Sequence, residues 1–209
     1  MESMRSTCET CGEALPIQRA GRPPKYCSSP CRQAGYRARK RRQLPPEMVA
    51  ADRWVAADGK RPMTADGRAA SSTDPSTWGP RADVAEGPNG FMLGAGFACI
   101  DLDGCVDCDG RVEPWAKAIL SVVPDAFVER SVSGRGLHIF GLLPEGPGRN
   151  LGRAEYYSKS RFIRVTGNVH RQGALVALSP AIAEIHRQHA AGQIPQRRGA
   201  ARGRAAAAA

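Results

Sequence analysis

In the stretch GFACIDLDGCVDCDG, Asp101 and Asp103 stand two residues apart at the end of an apolar run. Residues at that spacing on a strand point to one face, so both carboxylates share a side while Ile100 and Leu102 turn into a core. At an effective dielectric of about 20, two such charges about 4 Å apart repel by roughly 4 kcal/mol, a cost that a divalent cation relieves. The chemistry on offer is metal binding by paired carboxylates; the plainer alternative is two turn-forming aspartates at a strand end. An EF-hand loop fails on register. With Gly110 at loop position six, Cys105 would stand at position one and Ala116 at position twelve, and neither is a calcium ligand.

Two further stretches carry groups that suit an anionic substrate. In SVSGRGLHIFG a turn with Ser133, Gly134, Arg135 and Gly136 leads into a strand that projects His138 away from the core-facing Leu137 and Ile139. Backbone N–H groups of such a turn approach a phosphate closely, and Arg135 and His138 add charge; taken alone, His138 is equally a structural histidine. In RAEYYSKSRFIRVTG, Glu155 supplies a third carboxylate, with Lys159 and Arg161 nearby for phosphates.

The cysteines form a separate module. Cys8 and Cys11, then Cys27 and Cys31, give a CxxC and a CxxxC fifteen residues apart, the spacing of two knuckles that present four thiolates to one tetrahedral Zn²⁺. A segment of this size with few large apolar side chains has almost no core, so metal binding has to supply its folding free energy. Next comes RQAGYRARKRRQ, a helix in which Arg32, Arg37, Arg39, Lys40, Arg41 and Arg42 are interleaved with Tyr36. Such a helix follows nucleic-acid phosphates while the tyrosine stacks on a base; a solvated helix packed on the zinc site is the alternative.

These groups need a scaffold, and 209 residues suffice for one medium domain plus attachments. The formal net charge of +10 is concentrated at the ends: residues 1–45 hold ten Lys or Arg against three acids, and residues 187–209 hold five against none. That is the distribution of arms that follow a polyanion. No apolar run reaches 18 residues and the first ten residues lack the apolar core of a signal peptide, so a cytoplasmic protein without membrane contact is expected. Reduced thiols there favour metal ligation over disulfides. Strand patterns fall at GFMLGAGFACIDLD, read as a hairpin-like pair turning at Gly94 to Gly96, then at FVERSV, GLHIFGLL, AEYYS and RFIRVTG. A helix is expected in EPWAKAILSVV, started by Pro114, and a closing helix in SPAIAEIHRQHAAG, N-capped by Ser179. The order argues for an α+β sandwich with helices covering one sheet face. The expected organisation is a zinc module with its basic helix at 5–43, a catalytic domain at 45–190 and a disordered basic and Ala-rich tail at 191–209.

Taken together, these motifs resemble the archaeo-eukaryotic primase superfamily, in particular the bifunctional primase-polymerase domains of phages, plasmids and integrated elements. The resemblance rests on ACIDLD with Asp101 and Asp103, SGRGLHIFG with His138, and AEYYSKSRFIRVTG with Glu155, in that order, and covers roughly residues 45–190. It implies an RRM-like palm beside a small α/β unit, and template-directed nucleotidyl transfer that makes primers on single-stranded DNA. Asp101, Asp103 and Glu155 would then hold Mg²⁺ or Mn²⁺, while Ser133, Arg135, His138, Lys159 and Arg161 would hold an incoming NTP or dNTP. Many relatives continue into a helicase domain, so a separate helicase partner is expected. Two other functions fit parts of the pattern: a primase-fold replication initiator or accessory protein without turnover, and a rolling-circle endonuclease with Tyr156 or Tyr157 as nucleophile. The second normally needs two histidines around one metal, and LHIF supplies one.

Overall fold

The computed structural model of the chain describes residues 7–15, 24–41 and 43–197, with the side chains of 37–41 excluded. Two compact units divide the chain, Met1–Gln43 and Leu44–Ala209. In the first, a bridge between Thr7 and Ala14 brackets the first cysteine pair and helix α1 (Ser29–Arg41) begins within the second.

Among the described residues, the second unit opens with a short helix, α2 (Pro46–Ala50), and continues through eleven strands, two further α-helices and two short 3-10 helices at Pro75–Thr77 and Arg81–Val84. The strands are β1 (Trp54–Asp58), β2 (Arg61–Met63), β3 (Asn89–Met92), β4 (Phe97–Leu102), β5 (Phe127–Arg130), β6 (Leu137–Leu142), β7 (Arg149–Leu151), β8 (Ala154–Tyr157), β9 (Phe162–Val165), β10 (Val169–Arg171) and β11 (Val176–Ala177). Helix α3 (Pro114–Ser121) precedes β5, and α4 (Ser179–Ala190) follows β11. A four-stranded antiparallel sheet runs β2-β1-β3-β9; a seven-stranded sheet runs β10-β5-β6-β4-β8-β7, with β11 added parallel to β6. This is a mixed α/β architecture with predominantly antiparallel sheets.

The central strands of the large sheet, β4, β5 and β6, are buried on both faces because they alternate two apolar sets. Ala98, Ile100, Leu102, Val128, Leu137 and Ile139 pack with Trp115, Ile119, Ala181 and Ile185 of α3 and α4. Cys99, Phe127 and Phe140 point the other way and join Trp54, Phe91, Ile163 and Val165 of the small sheet. The helix pair thus covers one sheet face, as the pattern of elements implied, and the small sheet covers part of the other.

Three local expectations change. GFMLGAGFACIDLD is not a hairpin: β3 and β4 lie in different sheets, the turn between them closes with a Gly94–Phe97 bridge, and the two strands touch through the rings of Phe91 and Phe97. Gly94, Ala95 and Gly96 have φ of 135°, 52° and 90°, a left-handed run that carries the chain from one sheet to the other. Ser179 is the first residue of α4 rather than its cap; Leu178 takes that position without a side-chain hydrogen bond, and Pro180 lies in the first turn. The segment after α4 is also packed as far as Arg197, with Ile194 in the helix-side core, where an unstructured tail was expected from residue 191.

Candidate active site

Strand register builds the site. In antiparallel pairs, directly opposed residues point to the same face. Glu129 opposes His138, His138 opposes Asp101, Asp101 opposes Glu155, and Glu155 opposes Asn150. Five polar residues therefore form one row across β5, β6, β4, β8 and β7. One pleat further along, Phe127, Phe140, Cys99 and Tyr157 form the matching row, so the polar row lies beside the aromatic core between the sheets.

The row is coupled side chain to side chain. Glu129 is wholly buried; its carboxylate accepts N–H groups of Thr166 and Gly167 at 3.1 Å and lies 3.2 Å from His138 Nδ1. With Nδ1 occupied by Glu129, Nε2 faces Asp101 Oδ1 at 3.9 Å. Burial disfavours a charged imidazole, yet the Glu129 hydrogen bond and the charge of Asp101 outweigh it and raise the His138 pKa above its ordinary value. Asp101 is raised too, first by burial and then by the charges of Asp103 and Glu155, against the lowering effect of His138. Its Oδ1 is buried and accepts no hydrogen bond. An orphaned carboxylate oxygen between two other carboxylates is costly unless a cation meets it.

Asp103 lies just past the end of β4, in a turn. Glu155 is buried and accepts from Tyr157 Oη at 2.7 Å and from Asn150 Nδ2. The guanidinium of Arg197 donates to Asp103 Oδ2 and lies 2.9 Å from Glu155 Oε1, while that of Arg161 lies 4.0 Å from Glu155 Oε2 and over the Tyr157 ring at 4.3 Å. Asp103, Glu155, Arg161 and Arg197 line a cavity of about 850 Å³ between the two sheets, with Asp101, Asp103, His138 and Glu155 on the large-sheet side. Its other walls include Lys60, Phe162 and Arg164 from the small sheet and Ser131, Val132 and Ser133 from the turn before β6.

Of the nucleotide-binding residues expected from sequence, Ser133, His138 and Arg161 line this cavity. Arg135 and Lys159 are exposed and outside its lining. Sequence reading passed over Glu129, Lys60, Phe162, Arg164 and Arg197. Glu129 had a signal: it and His138 stand equally far from the centre of FVERSVSGRGLHIF, which makes them partners if that stretch is a hairpin. Tyr156 and Tyr157 are poorly placed as nucleophiles. Tyr156 points to the opposite face and bonds His186 at 2.9 Å, and the Tyr157 hydroxyl is pushed up to about 12 by burial and by its bond to Glu155.

The cysteine cluster is more compact. The four Sγ atoms of Cys8, Cys11, Cys27 and Cys31 all lie within 4.8 Å of one another, and Cys27 is 3.5 Å from both Cys11 and Cys31. Tetrahedral Zn–S bonds of about 2.3 Å place sulfurs about 3.8 Å apart, so the thiols fit a zinc ion. Cys27 is pushed up to about 12 by its cysteine neighbours; Cys8 falls to about 6, as N–H groups of Cys11, Cys27 and Thr10 override the effect of desolvation. Among the described residues, Asp101, Asp103 and Glu155 do not gather as closely as the four thiols, and Arg197 lies between Asp103 and Glu155. Tyr36 is 59% exposed on α1. The side chains of Arg37, Arg39, Lys40, Arg41 and Arg42 lie outside the described ones.

No family model matches the chain. Over 124 residues it is 36% identical to a DNA Primase-polymerase of Nitratiruptor phage NrS-1. The chain is similar to a phage primase-polymerase across half its length. The alignment takes in 50% of this chain and 17% of the phage protein, so the chain corresponds to a small part of that relative. No helix among the described residues is long and apolar enough to cross a membrane.

Proposed function

We propose that residues 45–190 form a primase-polymerase domain of the archaeo-eukaryotic primase type, which joins nucleotides into primers on single-stranded DNA. The observation that carries this reading is the in-register row Glu129–His138–Asp101–Glu155 at the wall of a cavity large enough for a nucleotide. The phage relative supports it over half the chain.

In this reading Asp101, Asp103 and Glu155 hold Mg²⁺ or Mn²⁺, and the buried Oδ1 of Asp101, which accepts no hydrogen bond from the protein, fits the role of a ligand atom. Bound divalent ions supply positive charge to the attacking 3′-hydroxyl and to the departing pyrophosphate. The protein's own groups do the rest. Glu129 fixes the tautomer and direction of His138, whose Nε2 is turned into the cavity beside Asp101. His138, Arg161 and the Ser131 and Ser133 hydroxyls face the triphosphate and counter the charge that grows as pyrophosphate leaves. Arg164 and Lys60 extend the positive wall, and Phe162 offers a ring to a base.

The cysteine module holds one Zn²⁺ and, through Tyr36 and the basic run Arg37 to Arg42, follows the template. A replicative helicase is a separate partner in this scheme. The test is direct: purified protein is incubated with single-stranded DNA, labelled nucleotides and Mg²⁺ or Mn²⁺, and the products are sized. Metal-dependent oligomers that vanish in Asp101→Asn support the reading. Template binding without any product would overturn it in favour of an accessory DNA-binding role.

A further inference from the structure

The tail that follows α4 does not leave the molecule at the end of the helix. Gln193 N–H bonds Gln188 O at 2.9 Å and Gly192 N–H bonds His189 O at 3.0 Å, the paired bonds of a Schellman turn, with Gly192 at φ +66° in the left-handed position. The turn reverses the chain. Ile194 then seals into the helix-side core at 3% exposure, and Pro195 O accepts the N–H of Arg153 at 3.0 Å. Gly152 makes room for this crossing: a Cβ there would come within 2.8 Å of Pro195 O. Two residues on, Arg197 reaches the acidic site.

Arg197 does there what a metal would do in part. Its guanidinium bonds Asp103 and lies 2.9 Å from Glu155, yet it leaves Asp101 Oδ1 bare. Its single charge is shared between Asp103 and Glu155; Arg161 stands 4.0 Å from Glu155 and His138 3.9 Å from Asp101, and none of the three donates a hydrogen bond to Asp101 Oδ1. A divalent cation brings twice the charge and coordinates oxygens from every side, but it cannot approach Asp103 and Glu155 while the guanidinium lies between them.

We propose that residues 193–197 are a working part of the acidic site, with Arg197 the resident counter-ion that a divalent metal must displace. Metal binding and docking of the C-terminal segment are then linked and oppose each other: the ion loosens the segment, and the docked segment weakens apparent metal affinity. This rests on the reading that the carboxylates bind metal.

Mn²⁺ alone, titrated into the full zinc-loaded chain and followed by the electron paramagnetic resonance of the free ion, tests it. Arg197→Gln should bind Mn²⁺ roughly fivefold to tenfold more tightly than the unaltered chain, and Arg197→Lys should fall between. Hydrogen exchange in peptides spanning 190–197 should speed up when Mn²⁺ is added, and Asp103→Asn should show fast exchange with or without it. If Asp103→Asn does not weaken Mn²⁺ binding, the carboxylates are not the metal site and the underlying reading fails. If it does, but Arg197→Gln leaves affinity unchanged or exchange at 190–197 ignores Mn²⁺, only the counter-ion role is overturned.

Discussion

His138 Nδ1 lies 3.2 Å from Oε1 of Glu129, a carboxylate with no solvent exposure. The two residues are directly opposed across β5 and β6, so strand pairing brings them together, and the N–H groups of Thr166 and Gly167 hold the carboxylate in place. Ligand-like histidines are commonly set in direction by a carboxylate on the other nitrogen. Glu129→Gln should therefore leave the fold intact and reduce primer synthesis roughly tenfold to a hundredfold. The imidazole titration of His138, followed by NMR, should shift downward with it.

The same pair gives a pH dependence. Because the folded-state pKa of His138 is raised, its stabilising contribution is complete below the ordinary histidine value of about 6.5 and is lost as pH climbs through the raised value. Denaturant melts of the metal-free chain across that range should show stability declining with pH. In His138→Gln the decline should flatten.

Asp101 predicts an opposite pairing of effects for metal-free and metal-loaded protein. Its raised pKa means that the ionised carboxylate costs stability at neutral pH, so Asp101→Asn should raise the melting temperature in chelator, by roughly 2–4 °C for each kcal/mol regained. Stabilisation by Mn²⁺ should disappear and primer synthesis should cease. A variant that melts lower in chelator would mean that the carboxylate is satisfied rather than orphaned.

Among the cationic side chains, position in the cavity separates Arg161 from its neighbours. Arg161→Ala should raise the KM for nucleotides and lower kcat, together by roughly tenfold to a hundredfold in kcat/KM, as expected for one charge-assisted contact of about 1.5–3 kcal/mol. Arg135→Ala and Lys159→Ala, outside the lining, should change it by less than about threefold. Steady-state kinetics of the three variants checks the order.

Four thiols within 4.8 Å predict one zinc per chain by elemental analysis. Stripping it should unfold residues 7–41 and leave 44–197 intact, because only the first unit lacks a core of large buried side chains. Template affinity should fall in parallel, and its salt dependence should flatten as the phosphate contacts of the basic helix are lost.

Much of the site was legible without coordinates. The alternation in ACIDLD predicts that Asp101 faces away from Ile100 and Leu102, and β4 shows it. The cysteine spacings predict four sulfurs around one point, and Pro114 marks the start of α3. These are short-range facts: strand period, knuckle spacing and the fixed φ of proline are properties of a few consecutive residues.

Tertiary structure decided the rest, because it depends on which distant segments meet. A strand's own residues do not name its partners, so β3 and β4, adjacent in the chain, went to different sheets, and β9 joined β3 across 69 intervening residues. That pairing placed Phe162 and Arg164 opposite the carboxylates. Glu129 looked like any charged residue of a half-exposed strand until β6 was laid beside it and the Thr166–Gly167 backbone closed over it. Arg197 read as one more charge in a basic tail. Only the turn at Gly192 and the burial of Ile194 carry it to Asp103 and Glu155, since a charge pair across 94 residues forms when the packing between them has already brought the two ends together.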